Sequence, residues 1–365
     1  MSYEVAVSSA FLSAFTMPII LRFAHKNRLY DSLDARKNHN GNIPRLGGLG
    51  IFIAFVTMML ALILIQPGEV ARQLATSTSR LWPIAVSAMV MHIIGLIDDI
   101  KPQSARLKLA VQIVAAILVV ASGYRFRGFG FSQDAMQDQL AWLSVILSVG
   151  WIVGVANAIN FIDGVDGLAG SVSFIVAMAY GNFYYRINDQ LSSLVCLCIA
   201  GVVVGFLLFN FPMPMAKIFM GDSGSLFIGF CLAVMPFLGQ GSETGSIEVS
   251  LGLFPAITIL ALPVFDALRV MGLRISQGKN PMSPDRQHLH HLLLDSDYGA
   301  LRIDLILSLV TAGVAFIVLA VSDMPQILGF MFEFIAIGLL LIFFRYVKYV
   351  NNKHSVNAED RRSAL

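Results

Sequence analysis

Four polar residues spaced by three, Asn157, Asn160, Asp163 and Asp166, stand in the stretch NAINFIDGVDGLAG between two long apolar runs. Amides and carboxylates in such a setting are costly unless they face water, protein or a ligand, so the stretch is a candidate site. Nine residues of unbroken helix turn through about 900°, which puts Asn157 and Asp166 on opposite faces. Lining one site therefore requires a break, and Gly164 and Gly167 stand where the backbone can make one and let a ligand approach. A polar span end, with these side chains serving as caps, is the plainer alternative.

Other segments carry related chemistry. GLIDD ends an apolar run at Asp98 and Asp99. Neighbouring helix residues point about 100° apart, so the two carboxylates divide their tasks, one orienting a metal and one taking a proton, or else they mark a solvated span end. FMGDSGS sets Asp222 among small residues immediately before another apolar run, with room for a metal and a phosphate, or as an ordinary cap. Oxygen donors without nearby cysteine suit magnesium, with manganese as the alternative ion. NPMSPDRQHLHHL supplies Arg286, His288, His290 and His291. The guanidinium offers a fork for phosphate oxygens, and the imidazoles can donate to a diphosphate. A zinc site from the three histidines competes with that reading, but adjacent histidines splay apart on a helix. In the polar loop ARKNHNGNIPRLGGLG, the basic residues Lys37, His39 and Arg45 either attract anionic lipid generally or bind a lipid phosphate. His92 and Glu333, inside apolar runs, are read as satisfied interior groups.

These residues need a membrane scaffold to hold them. The 365-residue chain is 56% hydrophobic and 13% charged, with a mean hydropathy of +0.73, well beyond the needs of a soluble core. Its apolar runs predict about eleven spans, near 4–22, 47–65, 82–97, 106–122, 140–157, 168–185, 191–209, 223–239, 250–268, 303–322 and 326–344. The expectation is thus an all-α integral membrane bundle of ten or eleven helices. Residues 1–350 form one membrane domain, and 351–365 a polar, frayed tail. The first run is read as a retained span. With the N-terminus outside, 20 of the 25 Lys and Arg fall on one side, which fixes that side as cytoplasmic and puts the C-terminus there. Asp98, Asp99, the Asn157–Asp166 cluster, Asn210, Asp222, Asp266 and the histidine segment all map to that face. Cys196, Cys198 and Cys231 show no zinc-like spacing and are read as small buried hydrophobes. A secondary transporter would place its polar groups near the bilayer midplane, often in paired halves. Neither pattern is present in the sequence.

Taken together and in order, RKNHNGNIPRLGG, GLIDD, NAINFIDGVDGLAG, FLLFN before FMGDSGS, and SPDRQHLHH resemble the polyprenyl-phosphate N-acetylhexosamine 1-phosphate transferases of bacteria. The likeness runs from Arg36 to His291. SPDRQHLHH is similar to the branch that uses UDP-N-acetylglucosamine or a related UDP sugar to start O-antigen, enterobacterial common antigen or teichoic acid synthesis. The peptidoglycan branch, phospho-N-acetylmuramoyl-pentapeptide transferase, has three consecutive histidines, where this chain has Leu289 between His288 and His290. The resemblance implies transfer of a sugar 1-phosphate to undecaprenyl phosphate with release of UMP, on the cytoplasmic face of the bacterial inner membrane. It also implies a magnesium ion, a homodimer, lipid contacts and no nucleic-acid partner. Carried over by motif, Asp222 and Asn160 hold the metal, while Asp98, Asp99 and Asp163 serve catalysis. Asn157, Asp166, Asn210, Arg286, His288, His290 and His291 take the nucleotide sugar, and Lys37, His39 and Arg45 the lipid phosphate.

Overall fold

The computed structural model describes residues 2–30, 43–65, 69–129, 141–213, 215–239, 251–280 and 286–363. Among them the regular elements are helical, with one isolated bridge between Tyr30 and Pro44. Lys37 and His39 lie outside the described residues.

Thirteen α-helices follow in order: α1 (Ser2–Lys26), α2 (Gly47–Ile65), α3 (Glu69–Ile100), α4 (Ala105–Ala121), α5 (Ala141–Ile162), α6 (Leu168–Arg186) and α7 (Gln190–Asn210), then α8 (Gly221–Val234), α9 (Leu253–Ile259), α10 (Ala261–Ser276), α11 (Leu289–Leu294), α12 (Ala300–Val321) and α13 (Gln326–Ser363). Seven of them hold stretches long and apolar enough to cross a membrane, and the bent pair α9–α10 makes an eighth. The chain is an integral membrane protein by this measure. Every predicted span has a helix in its place, but α4 and α8 have only 17 and 14 residues.

α8 is the axis of the bundle. All 14 of its residues are buried, as expected of a helix that is apolar all round beyond its polar start Asp222–Ser225, and α2, α3 and α5 pack around it. α7 lies between α1 and α6, and α12 packs on α6 with α13 outside it. Polar side chains bind helices together where hydrocarbon offers them nothing else: Ser13 Oγ donates to Val202 O at 2.7 Å, and Trp151 Nε1 to Ala233 O at 2.8 Å.

Three expectations change. The ninth predicted span is two helices bent by 87°. Pro263 has no N–H for the carbonyl of Ile259, and its ring crowds that carbonyl, so the ladder opens there. The tail begins inside α13, which continues as helix to Ser363 among the described residues. Glu333, 2% exposed in α13, has no hydrogen-bond partner on either carboxylate oxygen, and His92 has none on Nε2. Neither is a fully satisfied interior group. The three cysteines are buried and free, as expected.

Candidate active site

The site is built first of helix ends. α8 begins at Gly221, with φ +71°, and its first amides would be orphans without a cap. Asp99, at the end of α3, supplies the cap from another helix: its two oxygens accept from Asp222 N at 2.8 Å and Ser223 N at 3.0 Å. One turn and two turns back along α3, the same face carries Gly95 and His92. A Cβ on Gly95 would stand 2.4 Å from Asp222 O, and His92 Nδ1 donates to Ser223 O at 3.1 Å. From the opposite side, Gly47 N and Gly48 N donate to Phe219 O and Met220 O. The start of α8 is held between α2 and α3, and with it the position of Asp222.

Asp98 points away from that cap. Its Oδ1 accepts from Gln103 N at 2.8 Å, and its Oδ2 lies 3.1 Å from Lys108 Nζ. The same ammonium is 2.8 Å from Asp222 Oδ2, so Lys108 of α4 joins the two carboxylates. Asp222 Oδ1 accepts from Asn160 Nδ2 at 3.2 Å, with Arg45 at 3.9 Å. Asn160 Nδ2 also donates to Ser225 Oγ at 2.8 Å. Lys108 stands in the first turn of α4, two residues after Arg106 and ahead of an apolar run, so nothing local signals its pairing with two carboxylates distant in sequence.

The Asn157–Gly170 stretch breaks where its glycines allow. α5 runs through Asn157 and Asn160 to Ile162, turns follow, and α6 starts after Gly167, whose φ is +85°. Asn160 therefore faces Asp222 from the helix, and Asp163 stands in the turn. Its low-dielectric surroundings push the Asp163 carboxyl well above the usual carboxylate range, against the pull of Arg45. Asn157 is turned elsewhere: its Nδ2 donates to Gln112 Oε1 at 2.5 Å and Val153 O at 2.8 Å, tying α5 to α4. Asn210 accepts from Gly167 N at 3.0 Å and donates to Ile218 O at 2.8 Å. It clamps the turn to the segment leading into α8. Asp166 Oδ2 accepts from Ala216 N at 3.4 Å and secures the same segment. Of the residues assigned to the nucleotide sugar, these three serve the scaffold in this structure.

The histidine segment reaches the turn from the other side. His290 is 1% exposed, and a Cβ on Gly164 would stand 2.5 Å from its Nε2. Burial pushes the His290 imidazole down to about 3, so it is a neutral ring at ordinary pH. The His288 ring lies parallel to that of His290, with centroids 5.8 Å apart, and its Nδ1 binds Asp266 Oδ2 at 2.9 Å. Asp266 is 1% exposed and also binds Arg269 and the amide of Leu289. It fixes the start of α11, a role its polar position alone did not disclose. The His291 ring is tilted at 45° to that of His290, with centroids 4.2 Å apart. Arg286 pairs with Asp295 at 2.8 Å on the exposed side. Behind α11, Asn351 of α13 donates to Leu292 O at 3.0 Å.

Asp98 and Asp222, with the Asn160 amide beside them, are the oxygen donors that a hard cation would use. No cluster of three or more His, Cys, Asp or Glu set to hold a metal occurs among the described residues, which gives the zinc reading no support. The Lys108 ammonium nevertheless marks a cation position between two carboxylate oxygens, and magnesium is held by one or two carboxylates together with substrate phosphates.

Residues 81–240 match the family model described as glycosyl transferase family 4. A probable undecaprenyl-phosphate N-acetylglucosaminyl 1-phosphate transferase of Bacillus subtilis (strain 168) is 34% identical over 277 residues, which cover 76% of this chain and 73% of the relative. An undecaprenyl-phosphate alpha-N-acetylglucosaminyl 1-phosphate transferase of Yersinia pestis is 27% identical over 353 residues, 96% of this chain and 91% of the relative. A decaprenyl-phosphate N-acetylglucosaminephosphotransferase of Mycobacterium tuberculosis (strain ATCC 25618 / H37Rv) is 33% identical over 300 residues, 77% and 72% of the two chains.

Proposed function

The chain belongs to glycosyl transferase family 4, and from that premise we propose that it moves N-acetylglucosamine 1-phosphate from UDP-N-acetylglucosamine to undecaprenyl phosphate, releasing UMP. An oxygen of the lipid phosphate attacks the phosphorus that carries the sugar. A new P–O bond forms as the bond to the UMP phosphate breaks, and the product is a lipid-linked sugar diphosphate. The observation that carries the reading is the single ammonium shared by Asp98 and Asp222. It supports the reading of this point as a cation position where anionic donor and acceptor are brought together.

An anionic acceptor meeting an anionic donor needs charge neutralisation and alignment more than covalent help from the protein. Magnesium bound there would neutralise the diphosphate and stabilise the departing phosphate. Asp222 and Asp98 would hold it, with Asn160 fixing Asp222. Asp99 sets the start of α8 beneath them. Asp163, in the turn between α5 and α6, faces the acceptor phosphate. Neutral His290, with His291, donates to the sugar diphosphate, while Asp266 orients His288. Arg286 approaches the nucleotide from the exposed side, and Arg45 with the Lys37 and His39 loop meets the lipid phosphate. Attack is direct, without a phospho-enzyme, because the acceptor already carries its nucleophilic oxygen.

Counting α4, α6, α8 and the bent pair, the bundle crosses the membrane eleven times, N-terminus outside. The charge bias then puts this site on the cytoplasmic face of the inner membrane. Purified protein given undecaprenyl phosphate, magnesium and a panel of UDP sugars should release UMP with UDP-N-acetylglucosamine and stop when magnesium is chelated. Turnover only with the pentapeptide-bearing donor would replace the reading with the peptidoglycan one. A UMP-releasing phospho-enzyme trapped without lipid would refute direct attack.

A further inference from the structure

The oxygens that bind Lys108 are the ones left over. Asp98 Oδ1 is taken by the amide of Gln103, and Asp222 Oδ1 by Asn160 with Arg45 nearby. That leaves Oδ2 on each carboxylate, and both accept from Lys108 Nζ, at 3.1 and 2.8 Å. Both carboxylate side chains are 12% exposed, so little water replaces a missing cation between them. A divalent ion bonds carboxylate oxygen at roughly 2.0–2.1 Å. It cannot share these two oxygens with an ammonium at hydrogen-bonding distance, because two cations would then be in contact. Lys108 has the means to leave: its side chain is 23% exposed, and a strongly hydrated ammonium on a four-carbon stem can swing out. No comparable freedom belongs to Asp99, pinned by two backbone amides.

We propose that Lys108 is an internal counter-ion exchanged for the metal. It holds Asp98 and Asp222 together in the metal-free protein, and a divalent cation displaces it, so that bridge and metal exclude one another. This rests on the reading of the carboxylate pair as the metal centre. It differs from a permanent ion pair in the sign of one effect. A permanent bridge organises the metal ligands, so its loss weakens metal binding. An exchangeable bridge competes for them, so its loss strengthens it.

The test uses the full-length protein in detergent without substrates, with free Mn²⁺ followed by electron paramagnetic resonance. Lys108→Met should bind Mn²⁺ about tenfold more tightly, the factor expected when a bridge occupied nine-tenths of the time masks the site. Lys108→Arg, which keeps a competing charge, should show no gain. In the wild-type chain, where folding is not at issue, Mn²⁺ should increase acetylation of Lys108 by acetic anhydride, read by mass spectrometry. Equal or weaker Mn²⁺ affinity in Lys108→Met, or Lys108 labelling unchanged or reduced by Mn²⁺, overturns the exchange and leaves the metal centre standing. No saturable Mn²⁺ binding in any of the three proteins overturns the exchange, and no binding when UDP-N-acetylglucosamine is also present overturns the metal centre with it.

Discussion

The carboxylate centre is assembled from helix ends packed backbone against backbone, whereas the histidine arm rests on side-chain contacts. At the centre, Gly48 and Gly95 let α2 and α3 touch the first turn of α8, and a Cβ on Gly48 would stand 2.0 Å from Gly224 N. The arm is a six-residue helix seated by Leu289 and Leu293 in the hydrophobic core and bonded by Asp266 in front and Asn351 behind. Backbone contact leaves no slack, while side-chain contacts can repack at modest cost. On the proposed function, the contrast falls between the part that would align the reacting phosphates and the part that would select a donor.

Breaking the centre should have the larger consequences. Asp222→Ala should abolish magnesium-dependent exchange of UMP into UDP sugar while the protein still elutes as a folded species, and normal exchange would end its assignment to the metal. Gly48→Ala pushes a methyl into the backbone of α8, and overpacking of that kind costs about 1–3 kcal/mol or more. Thermal unfolding in detergent should fall by several degrees, and an unchanged midpoint would show that the contact is soft. The arm should respond more gently. Asp266→Asn removes the charge that holds His288 and the Leu289 amide, and the KM for UDP sugar should rise about tenfold, the equivalent of one charge-assisted hydrogen bond. A fall in kcat alone would move Asp266 to the centre. Arg286→Lys loses the planar fork, and donor affinity should weaken by a few-fold; identical affinity would remove Arg286 from the donor site.

A further effect concerns pH. His290 is held near 3 in the folded protein and titrates near about 6.5 when unfolded. Below that value the unfolded chain binds a proton that the folded one refuses, so stability drains away as pH falls from about 6.5 toward 3. His290→Gln should flatten this part of the stability curve, measured by thermal unfolding at pH 6.5 and 4.5. Parallel curves for the two proteins would contradict the assigned burial.

Local pattern carried much of this into view. Apolar run lengths located a helix at every predicted span, and helix arithmetic required the break that Gly164 and Gly167 make. The rest depends on contacts distant in sequence. Nothing near Asp99 says that it caps a helix 123 positions later, and the amides of Asn157 and Asn210 looked available because Gln112 and Ile218 could not be placed beside them. Lys108 in an apolar helix reads as a boundary charge until Asp98 and Asp222 are brought to either side of it. The 87° bend had a local cause in Pro263, but hydropathy averages over a proline as readily as over a leucine.

α13 brings the surrounding lipid into the problem. Its apolar stretch, Gln326–Val356, has 31 residues and makes a rod of about 46 Å, against a hydrocarbon layer of about 30 Å, and most of it faces outward. A helix of this kind meets changes in bilayer thickness by tilting. The rod that tilts is also the one that holds Leu292 through Asn351, so an angle imposed in the lipid is carried to the histidine arm as a displacement. On the proposed donor role of the arm, KM for the UDP sugar should shift across bilayers of graded acyl length, and a constant KM would uncouple α13 from the arm.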